Sequence, residues 1–146
     1  VERLFTLETA HKLLPAVEAA LREAIFLHAE HQRLERQMHE LKQRLMLAGG
    51  SRFDPEPALR NRQEDERIVR RLQRVIERFE EMGCQLKDLE MGLVDFPTMY
   101  RGEKVLLCWR LGEPEISHWH GWTEGFRGRK RIDEDFVQNH HAEATS

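Results

Sequence analysis

A chain of 146 residues fits one domain built on one hydrophobic core. With 34% of residues charged and a mean hydropathy of −0.67, its surface is large for its volume, as long helices make it. A net charge of −3 argues against general affinity for nucleic acid, and no run approaches the roughly 18 apolar residues that span a bilayer.

The opening VERLFTLETAHKLLP lacks the apolar run and cleavage site of a signal peptide, so the expected location is the cytoplasm. Cys84 and Cys108, without CxxC spacing, read as reduced thiols. In chain order, Thr6 is an N-cap for a short helix ending at Leu14, with Glu8 in the first turn, where a negative charge suits the helix dipole. Pro15 is expected to open a new helix, because proline is tolerated at a first helical position and breaks an interior. That helix runs to about Leu47, where AGGSRFD stops it. Asp54 and Pro55 restart a helix that closes at Gly83, a C-cap. Two long helices around one short loop make an antiparallel hairpin.

The hairpin seam is legible as Ala20, Ala24, Leu27, His31, Leu34, Met38, Leu41 and Leu45, answered by Ile68, Leu72, Val75, Phe79 and Met82. Opposite Met38, Leu41 and Leu45 the second helix offers ALRNRQEDER, with little apolar surface to cover them. A second copy of the chain is the expected cover, so a homodimer is predicted.

At the other end the apolar face widens through Val17, Leu21, Ile25, Val69 and Ile76 and needs a third layer. Four short strand-like segments supply it: CQLKDLEM, GLVDFP, EKVLLCWRLG and EISHWHGW, punctuated by glycine and proline. The expected fold is α+β, mostly α: a short first helix, a long antiparallel hairpin, then a small antiparallel β-sheet module at its open end. The domain spans 1–132, with the hairpin in 1–83 and the β-module in 84–132. The stretch 133–146 lacks periodicity and is expected to be a flexible tail.

Strand alternation puts Lys104, Leu106, Cys108 and Arg110 on one face, and His118 and His120 together on one face of the next strand. Two imidazoles on one face are a reasonable start for a divalent metal site, with Asp95, Glu113 and Cys108 among the further ligands. The metal candidates are His120, His118, Glu113 and Asp95. Equally, Asp95, Arg110 and Glu113 make either an ion-pair network or a pocket in which an arginine fork takes a carboxylate or phosphate. GFRGRKR is a concentrated basic patch, too small to make nucleic acid an expected partner.

The ordered set FTLETAHKLLP, GCQLKDLEMG, GLVDFP, LCWRLGE, WH and GFRGR resembles a bacterial family known as domain of unknown function 2203. The resemblance implies a helical hairpin with a small β-element and carries no established activity. Its motif positions fall on Glu8, Lys87, Asp88, Asp95, Arg110, Glu113, His120 and Arg129, all taken as candidate ligand-binding residues. The expected function is a homodimeric ligand- or partner-binding protein with a polar site in the β-module. The alternative is a metal-binding protein or metalloenzyme using His120 with nearby carboxylates.

Overall fold

The computed structural model describes residues 3–49 and 54–144. Two helices, α1 (Leu7–Leu47) and α2 (Glu56–Met82), are followed by strands β1 (Gln85–Asp88), β2 (Leu93–Tyr100), β3 (Glu103–Arg110), β4 (His118–Gly121) and β5 (Lys130–Arg131). A 3-10 turn (Phe126–Gly128) lies between β4 and β5, and a short helix α3 (Glu134–Asn139) and strand β6 (His140–His141) complete the elements of the described residues. The architecture is α+β, mostly helical, as the sequence predicts.

Thr6 is the N-cap of α1: its hydroxyl accepts from the Thr9 amide, and the Thr9 hydroxyl accepts in return from the Thr6 amide. The expected break at Pro15 does not occur, and one helix of 41 residues runs through it. An interior proline costs about 3 kcal/mol because it removes one helical bond and crowds the preceding turn. Here Ala10 and Leu14 before Pro15 and Val17 and Leu21 after it belong to one buried stripe, and Pro15 faces solvent. Burying that stripe offsets the local cost.

Asp54 Oδ1 accepts from the Glu56 amide at 3.0 Å where α2 begins. Gly83 ends it with φ 85°, and a Cβ there would lie 2.7 Å from the Arg3 side chain. Leu27, Leu34, Ile68, Val75 and Phe79 fill the seam. Farther out the seam turns polar. Asn61, 5% exposed, donates to the Leu34 carbonyl at 3.0 Å and to Gln37 Oε1 at 2.8 Å, while Met38, Leu41 and Leu45 are half-buried.

The sheet has the order β1-β2-β3-β4-β5, all antiparallel, with β6 also on β2. Pro97 lies inside β2 because its missing amide falls on the edge shared by β1 and β6, where its carbonyl accepts from the Phe5 amide at 2.7 Å. The β2–β3 hairpin closes through Arg101 and Gly102, both with positive φ (50° and 76°), as a two-residue primed turn requires.

Alternation sorts the sheet into two faces. Val94, Phe96, Val105, Leu107 and Trp109 join Phe5, Val17, Leu21 and Phe79 in the core beneath the helices. Leu93, Asp95, Met99, Leu106, Cys108 and His120 point the other way and are nonetheless buried. The segment after β4 folds back on this outer face: Lys104 sits over the Trp122 ring at 4.8 Å and Arg110 over Phe126 at 5.6 Å.

The expected flexible tail 133–146 is corrected over its described part. Asp133 Oδ1 accepts from the Phe136 amide at 2.8 Å and starts α3. Phe136 is fully buried, 4.6 Å from the Tyr100 ring and 5.1 Å from Trp119. His140 Nε2 then accepts from the Leu7 amide at 3.0 Å, giving the first turn of α1 a second cap. A six-residue helix is too short to show periodicity, so its one buried aromatic ring carries the docking. Residues 145–146 of that stretch lie outside the described residues.

Candidate functional site

Three consecutive strands each contribute one side chain to the outer face. Asp95 on β2 stands directly opposite Cys108 on β3, and His120 on β4 stands opposite Leu106, one diagonal step from Cys108. All three are buried, with exposures of 2%, 1% and 3%. One donor atom from each lies within 4.8 Å of the others, and among the described residues this is the group of His, Cys, Asp and Glu side chains that could hold a metal ion.

The hydrogen bonding fixes what each group can do. His120 Nδ1 faces the Gly121 carbonyl at 2.9 Å, an acceptor only, so this nitrogen carries a proton. Nε2 faces Asp95 Oδ2 at 3.0 Å. The bond to Asp95 raises the imidazole's pKa, against the lowering effect of burial. Burial, reinforced by the Asp95 charge, pushes the Cys108 thiol up to about 12, so the free thiol is protonated at neutral pH. Asp95 Oδ1 is buried with no hydrogen-bond partner among the described residues.

A second polar group adjoins the first. Arg129 donates to Glu113 Oε1 at 2.7 Å and to the Cys108 carbonyl at 3.3 Å, and its guanidinium lies over the Phe126 ring at 4.8 Å. Glu113 Oε1 also accepts from the Arg110 amide at 2.6 Å, and the Glu113 carbonyl accepts from Trp109 Nε1 at 3.0 Å. His118, although opposite Cys108 in register, turns toward Ser117 Oγ (3.0 Å) and Glu113 Oε2 (3.7 Å). Burial and the neighbouring Arg129 lower its pKa. Arg129 Nε is the other buried side-chain atom without a partner among the described residues.

The metal candidates named from the sequence therefore fall into two groups: His120 with Asp95, and His118 with Glu113. Lys87 is exposed on β1, where its charge acts on His120, and Asp88 Oδ1 accepts from the Met91 amide to close the following turn. The Arg110 side chain is exposed and lies over the Phe126 ring. Glu8 stands apart, paired with Lys12 at 3.3 Å on the surface of α1, a helix packed on the opposite face of the sheet. The basic stretch is divided among acidic partners, Arg129 with Glu113 and Lys130 with Glu124. On α1, His31 is occupied by Asp65 and Glu35.

Cys108, a further ligand in the sequence reading but not one of its four metal candidates, is a full member of the cluster. The signal for it lies in Arg101 and Gly102: a two-residue turn pairs Tyr100 with Glu103, and counting outward from there sets Asp95 against Cys108. Glu124 is also unanticipated. Its carboxylate accepts from the Gly121 amide (2.8 Å) and Lys130 (2.7 Å), and a Cβ at Gly128 would lie 2.7 Å from its Oε2.

These features define an α+β protein in which a helical hairpin backs an antiparallel sheet with a buried polar cluster on its outer face. No helix among the described residues is long and apolar enough to cross a membrane. The chain belongs to the family described as "Uncharacterized conserved protein (DUF2203)", whose model matches residues 3–132 and so contains the whole cluster. No curated protein and no solved structure matches it.

Proposed function

We propose that the protein is a homodimeric binding protein whose ligand site is the outer face of the β-module. The observation that carries this reading is the pair of unsatisfied buried atoms on either side of Cys108. Buried polar atoms in native proteins are nearly always paired, and each exception calls for an explanation. Among the described residues, Asp95 Oδ1 meets no hydrogen-bond donor and Arg129 Nε meets no acceptor. A ligand is the simplest means of satisfying them.

The cluster is arranged for binding rather than for nucleophilic catalysis. In a Cys-His-Asp triad the second imidazole nitrogen faces the nucleophile. In this chain it faces the Gly121 carbonyl, and the thiol stays protonated. Two free, buried cysteines suit a reducing compartment, and we place the protein in the cytoplasm.

The distal hairpin supports the dimer. Half-buried Met38, Leu41 and Leu45 share the distal part of the hairpin with Met46, Leu47 and Leu59, which are 81%, 89% and 54% exposed. A second hairpin packed there completes a four-helix arrangement.

Native mass spectrometry of protein purified without chelators tests both parts. The expected spectrum is a dimer with a bound mass that is absent from Asp95→Asn. A monomer removes the dimer, and a native mass equal to that of the bare chain removes the ligand.

A further inference from the structure

We infer that Asp95, Cys108 and His120 coordinate a divalent metal ion of the zinc class, with Cys108 as its thiolate ligand. This deepens the binding reading above and rests on it.

The argument begins with lone pairs. Because Nδ1 of His120 carries its proton toward the Gly121 carbonyl, a neutral ring presents the Nε2 lone pair to Asp95 Oδ2, which also holds only lone pairs. Two acceptors 3.0 Å apart require a cation between or beside them. A proton on Nε2 satisfies that one contact but leaves Asp95 Oδ1 unpaired among the described residues, with only the weakly donating Cys108 thiol beside the carboxylate. A metal ion engages all three side chains at once. The Gly121 carbonyl then acts as the outer partner that holds a ligating imidazole in its tautomer and orientation.

The space is suitable. Metal bonds of about 2.0–2.3 Å in a tetrahedral site place ligand atoms roughly 3.3–3.8 Å apart. The three donors lie within 4.8 Å of one another, with His120 Nε2 and Asp95 Oδ2 at 3.0 Å, so their spacings are of the size such a site needs. The metal replaces the thiol proton, which leaves to solvent. A sulfur, an imidazole nitrogen and one carboxylate select zinc or a similar borderline ion over magnesium and calcium, which take several oxygen ligands. Three protein ligands leave a fourth position for a small ligand such as water.

The framework is rigid in the way a metal site needs. Asp95, Cys108 and His120 come from adjacent strands of one ladder, and their opposite face is locked by Val94, Leu107 and Trp109 in the main core. Arg129 holds the carbonyl of Cys108, and Glu124 holds the amide of Gly121, whose carbonyl orients His120.

The test is titration of the purified full chain with zinc and with cobalt(II). The expected result is one ion bound per chain, a near-ultraviolet thiolate-to-cobalt absorption, and no uptake of magnesium or calcium. Cys108→Ser should lose that absorption while keeping its circular dichroism. Asp95→Asn and His120→Ala should each weaken zinc binding by more than the roughly 10–100-fold that loss of an outer partner costs. Failure of the folded wild-type chain to take up zinc or cobalt overturns the inference, as does cobalt bound without the thiolate band. The wild-type titration decides even if a variant does not fold. A bound mass that contains no metal, seen by native mass spectrometry, overturns the metal and leaves the binding reading standing; absence of both overturns both.

Discussion

The hairpin seam and the outer face of the sheet each set a histidine against an aspartate, under very different access to water. His31 in the seam is 25% exposed, with Asp65 at 2.6 Å on Nδ1 and Glu35 at 3.0 Å on Nε2. Both nitrogens meet carboxylates, so the pair favours an imidazolium that water can still reach. His120 and Asp95 have side chains only 4% and 2% exposed, with one imidazole nitrogen spent on a backbone carbonyl and one carboxylate oxygen left unpaired. The same two residue types thus make a fully paired spacer in the seam and, in the sheet, a pair with one carboxylate oxygen open among the described residues. Burial decides between them, because a half-wet ion pair tolerates imperfect partners and a dry one does not.

Removing each histidine sharpens the contrast most. His120→Ala leaves Asp95 as an uncompensated buried charge and should cost about 3–5 kcal/mol in urea unfolding at neutral pH. A loss no larger than that of His31→Ala would break the comparison. In the seam, Asn61→Ala removes two hydrogen bonds from a buried position and should cost about 1–2 kcal/mol, readable as a shift in the urea midpoint. His31→Ala itself should cost about 1 kcal/mol or less, and the loss should shrink with added salt. A salt-independent loss of the size expected for His120→Ala would show that the seam is as dry as the sheet.

The smallest effect is a pH dependence. The Asp65 hydrogen bond raises the pKa of His31 above its ordinary 6.5 in the folded chain. The charged ring is therefore favoured by folding, so its contribution is fully present below 6.5 and is lost as pH rises through the raised folded-state value. The difference in urea midpoint between the wild type and His31→Gln should shrink as pH rises above 6.5. A difference that grows over that range contradicts the assignment.

Much of the scaffold was legible because it is written in local chemistry. Gly83 as a C-cap, Thr6 as an N-cap and the alternation of Leu106 and Cys108 against Leu107 and Trp109 are all short-range signals. Pro15 misled because the rule for proline concerns the backbone alone, while the buried stripe from Ala10 to Leu21 is a tertiary term larger than the local one. Phe136 was illegible because nothing within six residues of it reveals the Tyr100 and Trp119 rings that receive it. For the candidate site, the residue types were visible and their grouping was not. Glu8, Asp95 and His120 share a motif set, yet Glu8 lies on a helix beneath the other face of the sheet, a separation that only the assembled layers reveal.

The two-residue turn at Arg101 and Gly102 has a consequence for how the cluster comes into being. Closing so short a loop takes little entropy, and hairpins of this kind form within microseconds in isolation. Asp95 and Cys108 are joined by that local closure, whereas the bond from Phe5 to Pro97 waits until the two long helices have been brought back to the sheet. Loop closure thus predicts an order of assembly opposite to that of synthesis, with the middle of the β-module as the seed and the first described residues docking late. Pulse-labelled hydrogen exchange should find the amides of β2 and β3 protected ahead of that of Phe5.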